Sequence, residues 1–175
     1  TAVFGPQKGV EHDQISRLDS VLRSLAEAIE HTLGTSVREL KGGGAAGGLG
    51  AGLAAFCHAQ LRSGVELVID ACQFKQRLTG ASLVITGEGK TDSQTAMGKV
   101  PAGVGKAAQA MGVPVFCVSG SLGEGWEEVK KSGVTAVFSI TPKPASKDET
   151  MIHAESLLEA AVRELLTAWK CGFEA

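Results

Sequence analysis

The second half of the chain alternates short apolar runs with helical patterns, and this alternation restricts the folds available to it. The apolar runs are continuous rather than alternating with polar residues, and they cover about 83–86, 113–119 and 136–140. Apolar residues at helical spacing predict helices over 100–111, 126–132 and 151–170. Continuous apolar strands separated by helices are typical of a parallel sheet covered on both faces. We therefore expect an α/β fold. Three strands are few for such a sheet, so either 37–41 and 65–70 or another segment of polypeptide should supply more.

The first half is dominated by one amphipathic helix and one glycine-rich run. Apolar residues at spacings of three and four predict a helix over 14–33, ended by Gly34. Glycines crowd 42–52, and a helix reaching about Leu61 should follow. Leu49, Leu53, Phe56 and Cys57 should mark one face of this helix. The segment 65–74 is ambiguous between a strand ending at Asp70 and a short helix.

Composition excludes several classes of partner. The formal net charge is −2 over 175 residues, with no block of like charge, so neither nucleic acid nor an anionic membrane is expected as a partner. No apolar run approaches the ~18 residues of a membrane-spanning helix. The cysteines are scattered, so buried reduced thiols in a cytoplasmic protein are expected rather than disulfides or zinc: Cys57, Cys72, Cys117 and Cys171. The chain begins at Thr1 rather than Met, which suggests a fragment or a processed piece.

Polar residues follow the first apolar run closely. A Gly87-Glu88-Gly89 turn is predicted at its end, and Asp92 and Lys99 come shortly after it. Ligands of open α/β sheets bind at this edge, and a kinase needs carboxylates to orient the acceptor hydroxyl and to hold Mg²⁺. The alternative is that Asp92 caps a turn and that Glu88 is solvated. Similarly, Ser119-Gly120-Ser121 is either a donor of amides and hydroxyls to the same crevice or an ordinary turn.

Two phosphate-binding motifs are matched incompletely. Gly89-Lys90-Thr91 resembles the end of a Walker A motif, but Val84 stands where that motif requires glycine, so a P-loop is excluded. A dinucleotide fingerprint is matched by Gly42, Gly44 and Gly47 with Asp70 downstream, although the preceding segment VRELK is a poor buried strand. Dinucleotide binding, binding of another anion and simple close packing all remain open for this glycine run.

Four segments together resemble the C-terminal half of the bacterial type I glycerate kinases. They are FGPQKG at 4–9, GGAAGGLGA at 43–51, LVITGEG at 83–89 with Asp92, Ser93 and Gln94, and GKVP at 98–101 with Gly103-Val104. The likeness extends from Thr1 to about the last helix. It implies a Rossmann-like parallel sheet covered by helices, the C-terminal part of a two-domain glycerate kinase fold. Residues 1–45 would be part of the second α/β domain, and 46–175 the C-terminal part of the Rossmann-like domain.

The resemblance also implies a reaction and a set of site residues. ATP and Mg²⁺ would phosphorylate D-glycerate, giving phosphoglycerate and in this family 2-phosphoglycerate. The expected catalytic residues are Asp92, Glu88 and Lys99, with Asp92 also the expected Mg²⁺ ligand. The expected substrate-binding residues are Gln94, Thr95 and Lys8. The residues expected to bind the nucleotide are Gly43, Gly44, Gly47, Gly48, Gly87, Gly89, Ser119 and Gly120.

The chain departs from the family pattern at three points. Members usually have Arg where this chain has Lys90, which keeps the charge but loses the bidentate fork, and an aliphatic residue where Thr91 stands. Members are also about twice as long. The resemblance therefore implies the N-terminal half of the same protein as a partner and one wall of the active site outside this chain.

Overall fold

The computed structural model describes residues 5–172. The chain divides into two compact units, Thr1–Arg62 and Ser63–Ala175, and each is described by itself. The division predicted at 45/46 remains a prediction. Phe4, the first residue of the FGPQKG segment, lies outside the described residues.

The first unit is helical over its described residues. Helix α1 spans Ile15–Leu33 and helix α2 spans Ala45–Cys57, with short 3₁₀ helices at Pro6–Lys8 and His12–Gln14. As predicted, α1 ends at Gly34, whose positive φ of 64° suits glycine. The strand considered for 37–41 is absent, because this segment forms turns. A small core, Ile29, Val37, Ala51 and Ala55, joins the two helices.

Helix α2 buries its small residues and exposes the face marked by its large apolar ones. Its small residues Gly48, Gly50, Ala51 and Ala55 are buried, whereas Leu49, Leu53 and Phe56 are 59%, 41% and 67% exposed. The close approach of α1 and α2 explains why small residues are buried, since a Cβ at Gly48 would lie 3.0 Å from Leu25 Cδ2. Glycine and alanine therefore form the contact with α1, and the large side chains point away from it.

The second unit contains the expected parallel sheet. Strands β1 (Val84–Thr91), β2 (Val115–Leu122) and β3 (Ala136–Ser139) lie in the order β1-β2-β3, and both pairs are parallel. The helices of this unit are α3 (Gly64–Ala71), α4 (Phe74–Arg77), α5 (Val100–Gln109), α6 (Lys147–Ile152) and α7 (Ala154–Cys171), with 3₁₀ helices at Thr95–Met97 and Trp126–Ser132. The mixed α/β fold is therefore confirmed. The segment 65–70 belongs to α3, so the strand alternative for it is wrong.

Helices cover both faces of the sheet. On one face Val115 and Cys117 of β2 pack with Ala102 and Ala108 of α5 and with Val129. On the other face Val118 and Ile140 pack with Leu165 of α7, and Phe116 makes an edge contact with Trp169 at 5.2 Å between ring centroids. The predicted single helix over 151–170 is interrupted at His153, and Ile152, just before the interruption, is exposed.

Glu30, near the end of α1, fixes the turn that leads to the glycine run. Its Oε1 accepts hydrogen bonds from the backbone N–H groups of Val37 and Arg38 at 3.2 and 3.1 Å. The Arg38 and Val37 amides, in that order, lower the pKa of this carboxyl below its ordinary value. The folded state therefore favours the charged form of Glu30.

We predict that this turn weakens in acid. A carboxyl with a lowered pKa in the folded state contributes stability above its unfolded pKa and loses that contribution as the pH falls through the folded pKa. Glu30→Gln keeps an acceptor oxygen but cannot titrate. Urea midpoints of the chain should therefore show wild type above Glu30→Gln at pH 7, with the difference disappearing as the pH falls through the lowered pKa of Glu30. A difference that stays constant with pH would contradict this assignment.

Candidate functional site

Strand β1 continues through the predicted glycine turn. Gly87, Glu88 and Gly89 are strand residues, and pairing with β2 extends as far as Thr91 opposite Leu122. A Cβ at Gly87 would lie 2.6 Å from Val118 O, and one at Gly120 would lie 2.6 Å from Gly89 O. These glycines thus allow close contact between strands rather than a turn. The turn predicted at 87–89 is therefore wrong. The turn considered at 119–121 is also wrong, because β2 continues to Leu122.

The extension carries Glu88 into a buried hydroxyl network. Glu88 Oε1 accepts from Thr91 Oγ1 at 2.9 Å and from Thr95 Oγ1 at 2.7 Å. Thr91 Oγ1 is in turn 2.5 Å from Ser119 Oγ, and Ser119 Oγ is 3.5 Å from Cys117 Sγ. Thr91, Thr95, Ser119 and Cys117 are all fully buried. Glu88 is therefore held by the protein interior, which does not agree with the alternative of a merely solvated side chain.

Asp92 lies beside this network between two lysines. Its Oδ1 is 3.6 Å from Lys99 Nζ and its Oδ2 is 3.8 Å from Lys90 Nζ. Oδ1 also accepts from the Gln94 backbone N–H at 3.1 Å, which is the turn-capping contact considered from the sequence. The side chain is 16% exposed, against 38% for Lys99 and 60% for Lys90. Asp92 thus combines a fixed, largely buried carboxylate with two positive charges that reach solvent.

The loop after β2 closes over this segment. Gly123 N–H donates to Thr91 O at 2.7 Å, and Ser93 N–H donates to Glu124 O at 3.0 Å. A Cβ at Gly123 would lie 2.5 Å from Lys90 Cε and 3.1 Å from Asp92 Cβ.

Gly123 and Thr91 are residues that we did not predict for the site. The alternation of Cys117 and Ser119 on one face of β2 was the available signal for a buried polar cluster.

The structure brings most of the predicted residues of this unit together. Glu88, Asp92, Thr95 and Lys99 form one connected set, and Gln94 joins it through its backbone. Gly87, Gly89 and Gly120 line an open cleft of about 1570 Å³ that extends to the loop 141–147, and Glu88 and Lys90 line it as well. Ser119, which we expected to bind nucleotide, is fully buried in the network instead of lining that cleft.

The remaining predicted residues belong to the first unit. Lys8 is exposed at the end of a 3₁₀ helix, and Gly43 and Gly48 are buried while Gly44 and Gly47 are exposed. Ala46, Gly47 and Gly48 all have positive φ values, so α2 begins with a left-handed turn. Binding of a nucleotide by this turn stays a prediction.

The dinucleotide alternative is contradicted by local structure. The fingerprint requires a strand before the glycines and a carboxylate after the next strand. Residues 37–41 form turns, and Asp70 lies inside helix α3. Neither structural requirement of that motif is met.

The carboxylates fit a metal ion that is held mainly by substrate. Among the described residues no group of three or more His, Cys, Asp or Glu side chains is arranged to hold a metal. Mg²⁺ usually binds through one or two carboxylates together with phosphate oxygens and water. Asp92, with Glu88 nearby in the same segment, supplies that kind of donor set.

Comparison with known proteins identifies the family of this chain. A model of the glycerate kinase family matches residues 1–170. The chain belongs to the glycerate kinase family. The resemblance based on the four sequence segments is therefore confirmed.

Several similar proteins are named as glycerate kinases. The chain is 49% identical over 169 residues to a glycerate kinase of Halalkalibacterium halodurans, covering 95% of this chain and 44% of that protein. It is 39% identical over 170 residues to a glycerate 2-kinase of Escherichia coli, covering 97% and 45% respectively. A crystal structure of a putative glycerate kinase 2 from Salmonella typhimurium matches with a TM-score of 0.67 at 42% identity, covering 99% of this chain and 45% of that one.

The chain spans less than half the length of these glycerate kinases. Its similarity to them is therefore similarity to one part of a longer protein. Across residues 5–172, no helix combines the length and apolar character needed to cross a membrane.

The cysteines differ in exposure more than we expected. All four are free, but Cys57, Cys72 and Cys171 are exposed and Cys117 alone of the four is buried. The expectation of buried thiols is therefore wrong for three of them. Burial raises the pKa of the Cys117 thiol, which outweighs the opposite effect of its hydrogen bonds to Ser119 and Thr91.

We predict that Cys117 resists alkylation in the native chain. A raised pKa leaves little thiolate at neutral pH, and the buried sulfur is also inaccessible to reagent. With iodoacetamide at pH 7.5, mass spectrometry of peptides should show labelling of Cys117 at least about tenfold slower than that of Cys72. The two rates should converge in concentrated urea. Equal rates in the native chain would mean that the network around Cys117 is open.

Proposed function

We propose that the protein of which this chain forms part transfers the γ-phosphate of ATP to a hydroxyl of D-glycerate. One observation carries the proposal, namely that Glu88, Asp92 and Lys99 meet at the carboxyl end of β1. Ligands of parallel α/β sheets bind at that end. The names of the relatives, glycerate kinase and glycerate 2-kinase, supply the substrate.

Asp92 is the residue through which we expect the chain to act on the reacting groups. Its carboxylate either orients the glycerate hydroxyl and accepts its proton, or ligates Mg²⁺. Both roles require a fixed carboxylate near solvent. Asp92 meets this requirement, with backbone capping by Gln94 and 16% exposure of its side chain. In the second role Asp92 would hold Mg²⁺, which would neutralise charge on the phosphates when bound.

The lysines supply positive charge for the phosphates. Lys99 and Lys90 both lie within 4 Å of Asp92 and have exposed ammonium groups. Phosphoryl transfer needs little covalent chemistry from the protein, so positioning and charge neutralisation account for most of the rate. A lysine that can contact both Asp92 and a phosphate oxygen contributes to both.

We propose 2-phosphoglycerate as the product. The similar Escherichia coli protein is named glycerate 2-kinase, and this name is the support for the choice of hydroxyl. We also propose that the rest of the protein completes the site. The relatives are more than twice the length that matches this chain, so half of a cleft formed between their parts would be missing here.

The reaction can be tested on the whole protein. Phosphorus NMR of a mixture of the protein, D-glycerate, ATP and Mg²⁺ should show ADP and 2-phosphoglycerate, and omission of ATP or Mg²⁺ should abolish product. Formation of 3-phosphoglycerate would refute the choice of hydroxyl alone. Absence of any phosphoglycerate would refute the proposed reaction. The isolated chain, assayed in parallel, should be inactive.

Asp92→Asn in the whole protein should lower kcat for glycerate phosphorylation by about 10²- to 10⁴-fold, which is the usual cost of losing acid–base help. The amide keeps the size of the side chain but cannot accept a proton or bind a cation as well. Asp148→Asn, an exposed change in the same unit at the start of α6, is the matched control and should keep activity near wild type. A kcat within about threefold of wild type for Asp92→Asn would show that neither role belongs to Asp92.

A further inference from the structure

Thr95 contacts every one of the three predicted catalytic residues. Its hydroxyl donates to Glu88 Oε1 at 2.7 Å and accepts from Asp92 N–H at 3.2 Å. Its own N–H donates to Asp92 O at 2.9 Å, and its carbonyl accepts from Lys99 N–H at 3.3 Å. Thr95 is fully buried at the start of the 3₁₀ helix that leads from β1 toward α5. It is the residue through which this segment is held together.

The hydrogen-bond inventory leaves the Thr95 hydroxyl no free proton. A hydroxyl has one proton to donate, a carboxylate can only accept, and a backbone N–H can only donate. The proton of Thr95 Oγ1 is therefore used on Glu88, and a lone pair is used on Asp92 N–H. Since Thr95 is also inaccessible to solvent, this arrangement does not support direct contact between Thr95 and glycerate.

We propose that Thr95 is a positioning residue that fixes Glu88 and Asp92 relative to each other for phosphoryl transfer. This inference rests on the proposed function and deepens it, because it replaces the substrate contact expected of Thr95 with a role exerted through two carboxylate residues. Buried hydrogen bonds of this kind set side-chain orientation, and small misplacements of reacting groups cost large factors in rate.

Thr91 provides a matched comparison within the same network. Its hydroxyl donates to the same Glu88 oxygen at 2.9 Å and is equally buried. The other hydrogen-bond partners of its hydroxyl are Ser119 and Cys117, and among the described residues no hydrogen bond joins this hydroxyl to Asp92 or Lys99. Removal of the Thr91 hydroxyl therefore tests support of Glu88 alone, whereas removal of the Thr95 hydroxyl tests the link between Glu88 and Asp92.

The experiment compares three variants of the whole protein. Thr95→Val removes the hydroxyl while keeping the branched shape, Thr95→Ser keeps the hydroxyl, and Thr91→Val is the matched change. We expect Thr95→Val to lower kcat by about tenfold to about hundredfold, with the KM values for glycerate and ATP within about twofold of wild type. Thr95→Ser should recover kcat to within about threefold, and Thr91→Val should lose less than Thr95→Val. If Thr95→Val does not fold, Thr95→Ala takes its place with the same expectations.

Crystal structures of the same variants separate this inference from the proposed function. The Glu88 carboxylate should leave its position in Thr95→Val and keep it in Thr95→Ser. A wild-type protein that does not phosphorylate glycerate would refute the proposed function, while displacement of Glu88 in Thr95→Val would still support positioning by Thr95. Unmoved Glu88, a kcat within about twofold of wild type, a loss confined to KM, or equal losses in Thr95→Val and Thr95→Ser would each overturn the inference.

Discussion

The pairing of β1 with β2 beyond their apolar residues is the constraint on which the site depends. The apolar part of β1 ends near Ile85, yet the strand remains hydrogen-bonded to β2 as far as Thr91. This extension is possible because Gly87 and Gly120 have no side chain to collide with the neighbouring backbone. It places Glu88 and Thr91 on the same strand pair as Cys117 and Ser119, so hydroxyls from two strands meet in the interior. A turn at Gly87 would have separated them.

The network is internally consistent as a set of donors and acceptors. Among the described residues, no buried side-chain nitrogen or oxygen lacks a hydrogen-bond partner. A fully satisfied buried network has a defined geometry, whereas a partly satisfied one is costly, since each unpaired buried group costs about 1–3 kcal/mol. The exact pairing of hydroxyls with Glu88 therefore gives the carboxylate a fixed orientation. Rigid support of this kind is what a group needs when it must act on a substrate in one geometry.

The sequence predicted the secondary structure well where a single local pattern determines it. The amphipathic period of α1, the cap at Gly34 and the parallel α/β order of the second unit follow from local patterns and are confirmed. Glycine caused the two errors about turns, because one residue type serves two purposes. At Gly34 it permits a left-handed cap, whereas at Gly87 and Gly120 it permits close contact with a neighbouring strand. Only the three-dimensional neighbour distinguishes these roles, and periodicity along one segment cannot reveal it.

The prediction of site residues is limited in the same way, because contacts between distant segments do not show in the spacing within one segment. Asp92, Glu88 and Lys99 were selected because they follow one strand, and they do lie together. The contribution of Thr91 depends on Ser119, which is 28 residues away, so no spacing rule within the segment indicates it.

The exposure of the charges explains why this arrangement suits an anionic ligand. Asp92 is 16% exposed while its lysine partners are 38% and 60% exposed, and the closest N···O distances are 3.6 and 3.8 Å. Ion pairs whose lysine reaches solvent contribute only about 0–1 kcal/mol at such distances, because solvent screens the ammonium group and the lysine side chain loses conformational freedom. Each ammonium can therefore turn toward a phosphate at little cost, while Asp92 is held in place by Gln94 N–H. A rigid carboxylate with movable cations can accept a highly charged substrate without losing its own orientation.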